Sequence, residues 1–191
     1  MATTRKTTKR KTKKKASKKT AKRTTKKAAK AAGSASTSTL REGLRIPNFD
    51  LEGDDGRRHT RADLDGERYV LYFYPRDNTP GCTTEACDFR DNLARFKRAG
   101  LKVLGVSADS LASHEKFRKK YKLPFPLLSD PDKKVATRFG AYGEKMMYGR
   151  KVMGTIRSTF LVGENGRIER IWSPVRVKGH VDAVLAAVKG E

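Results

Sequence analysis

The chain has 191 residues, 36% of them hydrophobic, two cysteines and a formal net charge of +23. That length suits one domain of ordinary size plus an appendage. No apolar run approaches the roughly 18–20 residues of a membrane span, and two cysteines exclude a disulfide scaffold.

The charge is uneven: 15 of the 44 Lys+Arg and none of the 21 Asp+Glu lie in the first 40 residues, which leaves the remainder at +8. Residues 1–39 are built almost wholly from Lys, Arg, Thr, Ala and Ser, with Lys-Lys plus small residues recurring at 14–17, 18–21 and 26–29. Apart from Met1 no large apolar side chain precedes Leu40. Such a segment cannot bury a core, so a disordered basic tail is expected, ending in a Ser/Thr/Gly/Ala linker from Gly33 to Thr39. It lacks the apolar stretch of a secretory signal, so export is not expected and a cytoplasmic location is. The composition resembles the lysine- and alanine-rich tails of linker histones and some bacterial nucleoid proteins. A flexible polycation binds phosphate backbones by counterion release without reading sequence. Non-specific nucleic acid is therefore the partner expected for residues 1–39, and association with the nucleoid is expected with it. A merely solubilising tail is the plainer reading, and a transit peptide ranks below both because Lys dominates and no apolar face exists.

The domain is expected over residues 40–191. Leu44–Leu51 alternates apolar and polar residues as a short edge segment, and Gly53–Gly56 turns into a second short strand near Arg57–Thr60. Tyr69–Tyr74 reads as a buried strand. Pro75, Pro80 and Gly81 punctuate a loop, and a helix is predicted over Thr83–Arg98, stopped by Gly100. Leu101–Ser107 is a second buried strand. Ser110 caps a helix reaching Tyr121, Leu127-Leu128 is a short strand, and Lys133–Phe139 a short helix. Residues 140–154, rich in Gly and Met, read as a loop; Met146, Met147 and Tyr148 read as loop packing rather than a cofactor site, with walling the entry to Cys82 as their functional alternative. Thr155–Val162 and Arg167–Trp172 flank the turn Gly163–Gly166 as a hairpin, and His180–Lys189 is a final helix. The alternation predicts an α/β fold, a central mixed β-sheet flanked by helices.

Cys82 falls where the first buried strand and its loop give way to a helix. Free N–H groups and the positive end of the helix dipole favour an anion there, so a low-pKa thiolate is expected. Residues 74–87, Tyr-Pro-Arg-Asp-Asn-Thr-Pro-Gly-Cys-Thr-Thr-Glu-Ala-Cys, resemble the active-site segment of the peroxiredoxin family, in its bacterioferritin-comigratory-protein or peroxiredoxin Q branch. Tyr148–Val162 resembles the family segment that supplies an active-site arginine, here Arg157. The resemblance covers about residues 40–190 and leaves out the tail. It implies a thioredoxin-like fold and a thiol peroxidase acting on hydrogen peroxide and organic hydroperoxides without metal, haem or flavin. Cys82 would attack the peroxide, Arg157 would hold the thiolate and the peroxide oxygens, Thr79 would offer its hydroxyl, and Pro75 would shape and shield the loop. Cys87 would resolve the Cys82 sulfenic acid as an intramolecular disulfide, and thioredoxin would re-reduce it. Both cysteines on one helix, five residues apart, would have Cα atoms about 8–9 Å apart, beyond the roughly 7 Å limit for a disulfide, so the helix start would have to unwind.

Other chemistries fit less well. The spacing is not the Cys-x-x-Cys of a dithiol oxidoreductase. His59, His114 and His180 are scattered, so no zinc cluster is visible, and His114 is expected to pack rather than act as a base. A monomer or weak dimer is expected. The rival reading is a nucleoid-associated DNA-binding protein whose folded part serves as a redox sensor.

Overall fold

The computed structural model describes residues 40–147 and 149–189. The expectations for the tail and for Tyr148 lie outside those residues. Leu71, Val70 and Phe73, with 0–1% of their surface exposed, sit in β3 (Arg68–Phe73), the strand around which the fold is laid. The other strands of its sheet are β1 (Asp50–Gly53), β2 (Arg58–Thr60), β4 (Leu101–Ser107), β5 (Leu127–Ser129), β8 (Ser158–Val162) and β9 (Ile168–Trp172), in the order β2-β1-β5-β4-β3-β8-β9. The β3–β4 and β4–β5 pairs are parallel and the rest antiparallel. The helices are α1 (Pro80–Arg98), α2 (Leu111–Tyr121), α3 (Lys134–Arg138) and α4 (His180–Lys189).

Strand alternation sorts the core into two halves. Val70 and Tyr72 of β3 join Phe89, Leu93 and Phe96 of α1, Phe117 of α2 and Val184 of α4 on one face. Leu71 and Phe73 join Leu64, Val135 of α3, Phe139 and Phe160 on the other. This is the thioredoxin-like α/β architecture, a mixed sheet flanked by helices on both faces. Among the described residues no helix is long and apolar enough to cross a membrane.

Local chemistry accounts for the helix ends. Ser110 Oγ accepts from the Ser113 N–H and caps α2. Helix α1 stops at Gly100, whose φ of 71° suits the left-handed cap. It starts at Pro80 rather than at Thr83: proline at the first helical position lacks only an N–H that has no intrahelical acceptor there.

Other boundaries differ from expectation as well. The edge strand β1 runs over Asp50–Gly53, not along Leu44–Leu51. Residues 140–154 are mostly a hairpin, not a loop: β6 (Tyr142–Met147) pairs with β7 (Arg150–Thr155), from Tyr142↔Thr155 to Met147↔Arg150. Gly143 and Gly154 face each other across it and dilute the strand pattern. Met146 and Met153 are 65% and 63% exposed, so they stand in solvent rather than packing over a site; the Met147 side chain lies outside the described residues. The expected strand Thr155–Val162 is also divided. Thr155 closes the separate β6–β7 sheet, and β8 begins only at Ser158, where the chain joins β3.

Leu71→Ala would remove a fully buried branched side chain at the sheet centre. Urea unfolding should show a loss of about 2–5 kcal/mol with the m-value unchanged.

Candidate active site

Cys82 is the third residue of α1 and 2% exposed, packed with Tyr72, Tyr74 and Ala86 on the helix's core face. In this first turn backbone N–H groups have no intrahelical acceptors, and the helix dipole presents its positive end.

Arg157 reaches the same point from the far side of β3. Antiparallel pairing sets Phe73 opposite Ser158, so Arg157, one residue earlier, stands at the end of β3 from which the chain enters α1. Its carbonyl accepts from Val175 N at 2.8 Å, which ties the following loop to it. Nη2 donates to Cys82 Sγ at 3.2 Å and Nη1 donates to Glu85 Oε2. The Arg157 and Glu85 side chains are 14% and 0% exposed. The guanidinium lies along the turn: a Cβ added at Gly81 would stand 3.5 Å from Nη2.

Burial pushes the Glu85 carboxyl up to about 7, against the pull of Arg157. Burial also works against the charge of Arg157, but Glu85 and the Cys82 sulfur outweigh it and hold the guanidinium above its usual range. Glu85 Oε1 and the Tyr72 hydroxyl are buried without a hydrogen-bond partner. His180, at the start of α4, is brought down to about 4 by burial and by Arg157, and its Nε2 shares a hydrogen bond with Thr159 Oγ1 at 2.8 Å.

The structure therefore brings Cys82 and Arg157 into contact. Thr79 is at the N-cap of α1, but its hydroxyl donates to the Arg76 carbonyl at 3.0 Å instead of to the sulfur, which leaves its lone pairs free to accept. Pro75 is half-buried at the head of the same loop. Cys87 is a half-buried free thiol on α1, not joined to Cys82. His114 is fully buried and hydrogen-bonded to Asp77 and to the Leu128 carbonyl. Among the described residues no group of three or more His, Cys, Asp or Glu could hold a metal ion.

Sequence reasoning assigns Glu85 no role, although its signal is present: an acid three residues after Cys82, on a helix face otherwise formed by Ala86, Phe89 and Leu93. His180 and Asp77 give no comparable sign, because their partners are remote in sequence.

This geometry agrees with what the chain resembles. Residues 43–171 match the AhpC/TSA family. The chain is 44% identical over 151 residues to the peroxiredoxin Bcp of Bacillus subtilis, covering 79% of this chain and 96% of that one. It is 40% identical over 150 residues to the peroxiredoxin Bcp of Escherichia coli, covering 78% and 96%. A solved structure of Xanthomonas campestris peroxiredoxin Q aligns with a TM-score of 0.73 at 44% identity, over 78% of this chain and 98% of that one. The chain belongs to the AhpC/TSA family, in its Bcp/peroxiredoxin Q branch. It is thus an enzyme of the thioredoxin-dependent peroxidase class.

A carboxyl raised by the fold is favoured protonated, so its contribution to stability is full below about 4.5 and lost as pH rises through about 7. Urea unfolding at pH 5 and pH 8 should therefore show wild type losing more stability on the alkaline side than Glu85→Gln does.

Proposed function

We propose that Cys82 is the peroxidatic sulfur and that Arg157 prepares it. The reading rests on one observation above others, the guanidinium donating to Sγ from a position fixed by a buried carboxylate. A thiolate there attacks the near oxygen of a hydroperoxide. The O–O bond breaks, Cys82 becomes a sulfenic acid that keeps the near OH, and the far oxygen leaves as hydroxide or alkoxide and takes a proton from solvent to give water or alcohol. Arg157 offers its N–H fork to the charge that builds on both oxygens. Thr79, its own hydrogen donated to the Arg76 carbonyl, accepts a hydrogen bond from the peroxide O–H. Pro75 contributes no reactive group and limits water at the loop.

Cys87 then displaces the sulfenic hydroxyl as water to give an intramolecular disulfide, and a thioredoxin-type dithiol reduces it. The helix that carries both cysteines must open for this, since helical geometry keeps their Cα atoms about 8–9 Å apart and a disulfide needs less than roughly 7 Å. Hydrogen peroxide and organic hydroperoxides are both proposed as substrates. The latter choice is supported by a 44% identical X. campestris bacterioferritin comigratory protein, described for its alkyl peroxide reduction activity.

From composition alone, residues 1–39 are proposed to bind nucleic acid without reading sequence, alongside a catalytic domain of residues 40–191. If about ten charges meet phosphate, log K should fall with log salt at a slope near −9.

Peroxide consumption with a thioredoxin system separates these roles. Cys82→Ser should abolish turnover. Cys87→Ser should allow one oxidation and stop recycling through an intramolecular bond. Arg157→Gln should lower the rate of Cys82 oxidation by about 10²–10³. An exclusively intermolecular disulfide after peroxide treatment would remove Cys87 from the scheme. Deleting residues 1–39 should abolish a salt-sensitive DNA mobility shift, and a persisting shift would assign nucleic-acid binding elsewhere.

A further inference from the structure

The loop between β3 and α1 is fastened by a side chain that the peroxidase reading leaves unused. The Asp77 side chain is 2% exposed. Its Oδ1 accepts from the Tyr74 hydroxyl at 2.8 Å, and its Oδ2 accepts from Ser113 Oγ at 2.7 Å and faces His114 Nδ1 at 2.9 Å. The Asp77 backbone N–H donates to Asp109 Oδ2 at 2.8 Å, which also accepts from Ser107 Oγ. On its other side the His114 ring faces the Leu128 carbonyl at 3.2 Å through Nε2. A carbonyl only accepts, so Nε2 carries hydrogen. Burial acts against the Asp77 charge, but His114, Ser113 and Tyr74 outweigh it and hold the carboxyl below its usual range. A buried histidine–carboxylate contact thus joins the loop to α2.

The next two residues of the chain carry this anchor to the site. Asn78 is in the left-handed region, with φ 56°. Thr79 follows it extended, at φ −86° and ψ 148°, as the N-cap of the Cys82 helix. A left-handed residue persists where its surroundings hold it, and here the fixed point is Asp77 immediately before it.

We infer that Asp77 is a positioning residue of the peroxidase site: docked on Ser113 and His114 of α2, it sets where Thr79 presents its hydroxyl to the peroxide. This rests on the assignment of Cys82 and Thr79 above. The coupling is mechanical. Asp77 touches neither the sulfur nor the substrate, and its effect passes through Thr79.

Non-additivity tests it. In a Cys87→Ser background, which isolates the first step, the rate of Cys82 oxidation by hydrogen peroxide is measured by rapid quench and mass spectrometry. Asp77→Asn, Thr79→Val and the double variant are compared well below their melting temperatures. Asp77→Asn is expected to slow oxidation about tenfold to a hundredfold, and the double variant to be no slower than Thr79→Val alone. An unchanged rate with only a lowered melting temperature, or multiplying effects of the two changes, would overturn the inference. Should Asp77→Asn fail to fold, Ser113→Ala removes one donor from outside the loop. It is expected to give a smaller slowing that again disappears on a Thr79→Val background, and additivity there would overturn the inference equally. Failure of the underlying assignment looks different: the Cys87→Ser parent would then show no oxidation of Cys82 at all.

Discussion

The contact between Arg157 and Cys82 depends on the register of two strands. Cys82 comes after β3 by a short loop, and Arg157 precedes β8 by one residue, so the Phe73↔Ser158 pairing determines whether they meet. A one-residue slip would turn every β8 side chain to the opposite face. Such a slip would place Phe160 and Val162 among the helices of the other half-core and carry the guanidinium away from the thiol. Hydrophobic sorting across the sheet therefore fixes the chemistry at its end. The site also sits where the parallel strands β3 and β4 release their chain, the usual place for function in open α/β sheets.

The second feature of this site is charge kept out of water. Glu85 is fully buried beside Arg157 and one of its oxygens has no partner. A buried carboxylate is weak evidence for stability, because desolvation offsets most of what the ion pair returns. Its use is directional. With Nη1 held by Glu85, rotation of the guanidinium about its long side chain is restricted and Nη2 stays aimed at Sγ. A lysine at this position would keep the charge and lose the second, orienting contact. The Asp77–His114 pair has the same character on the loop side of the sulfur. Both flanks of the reactive atom are thus held by buried polar contacts that link elements far apart in sequence.

That distance explains which parts are legible in the sequence. The buried strands, the cap at Ser110, the Gly163–Gly166 hairpin and the last helix arise from patterns confined to a few residues, and each appears where expected. Cys82 and Arg157 are singled out by two separate local motifs, and the structure brings their side chains into contact. The β6–β7 hairpin escapes detection because its paired glycines, Gly143 and Gly154, remove the apolar alternation that marks a strand. Helix α1 starts earlier than its apolar spacing indicates because Pro80 and Gly81 have the composition of a loop, although proline suits a first helical position. The environments of Asp77 and Glu85 depend on partners 36 and 72 residues away, and no window along the chain shows them.

Helix α1 builds the site and, on the proposed cycle, also stands in the way of its own disulfide. Phe89, Leu93 and Phe96 root the later turns in the core, Phe89 and Phe96 with no exposed surface at all. Opening is therefore confined to the turns from Pro80 to Cys87. Those turns are held by the contact of Arg157 with the sulfur and with Glu85 and by the packing of Cys82 and Ala86 in the core. Oxidation alters the first of these directly. A thiolate accepts a charge-assisted hydrogen bond, whereas a sulfenic acid is neutral and accepts a weaker one. Near neutral pH the second contact also stores a cost, because burial presses Glu85 towards its protonated form, and exposure on unwinding would relieve it. On the proposed cycle the chemical step would thus loosen the segment that the next step must move, with the loop anchored through Asp77 on one side and the helix rooted at Phe89 on the other.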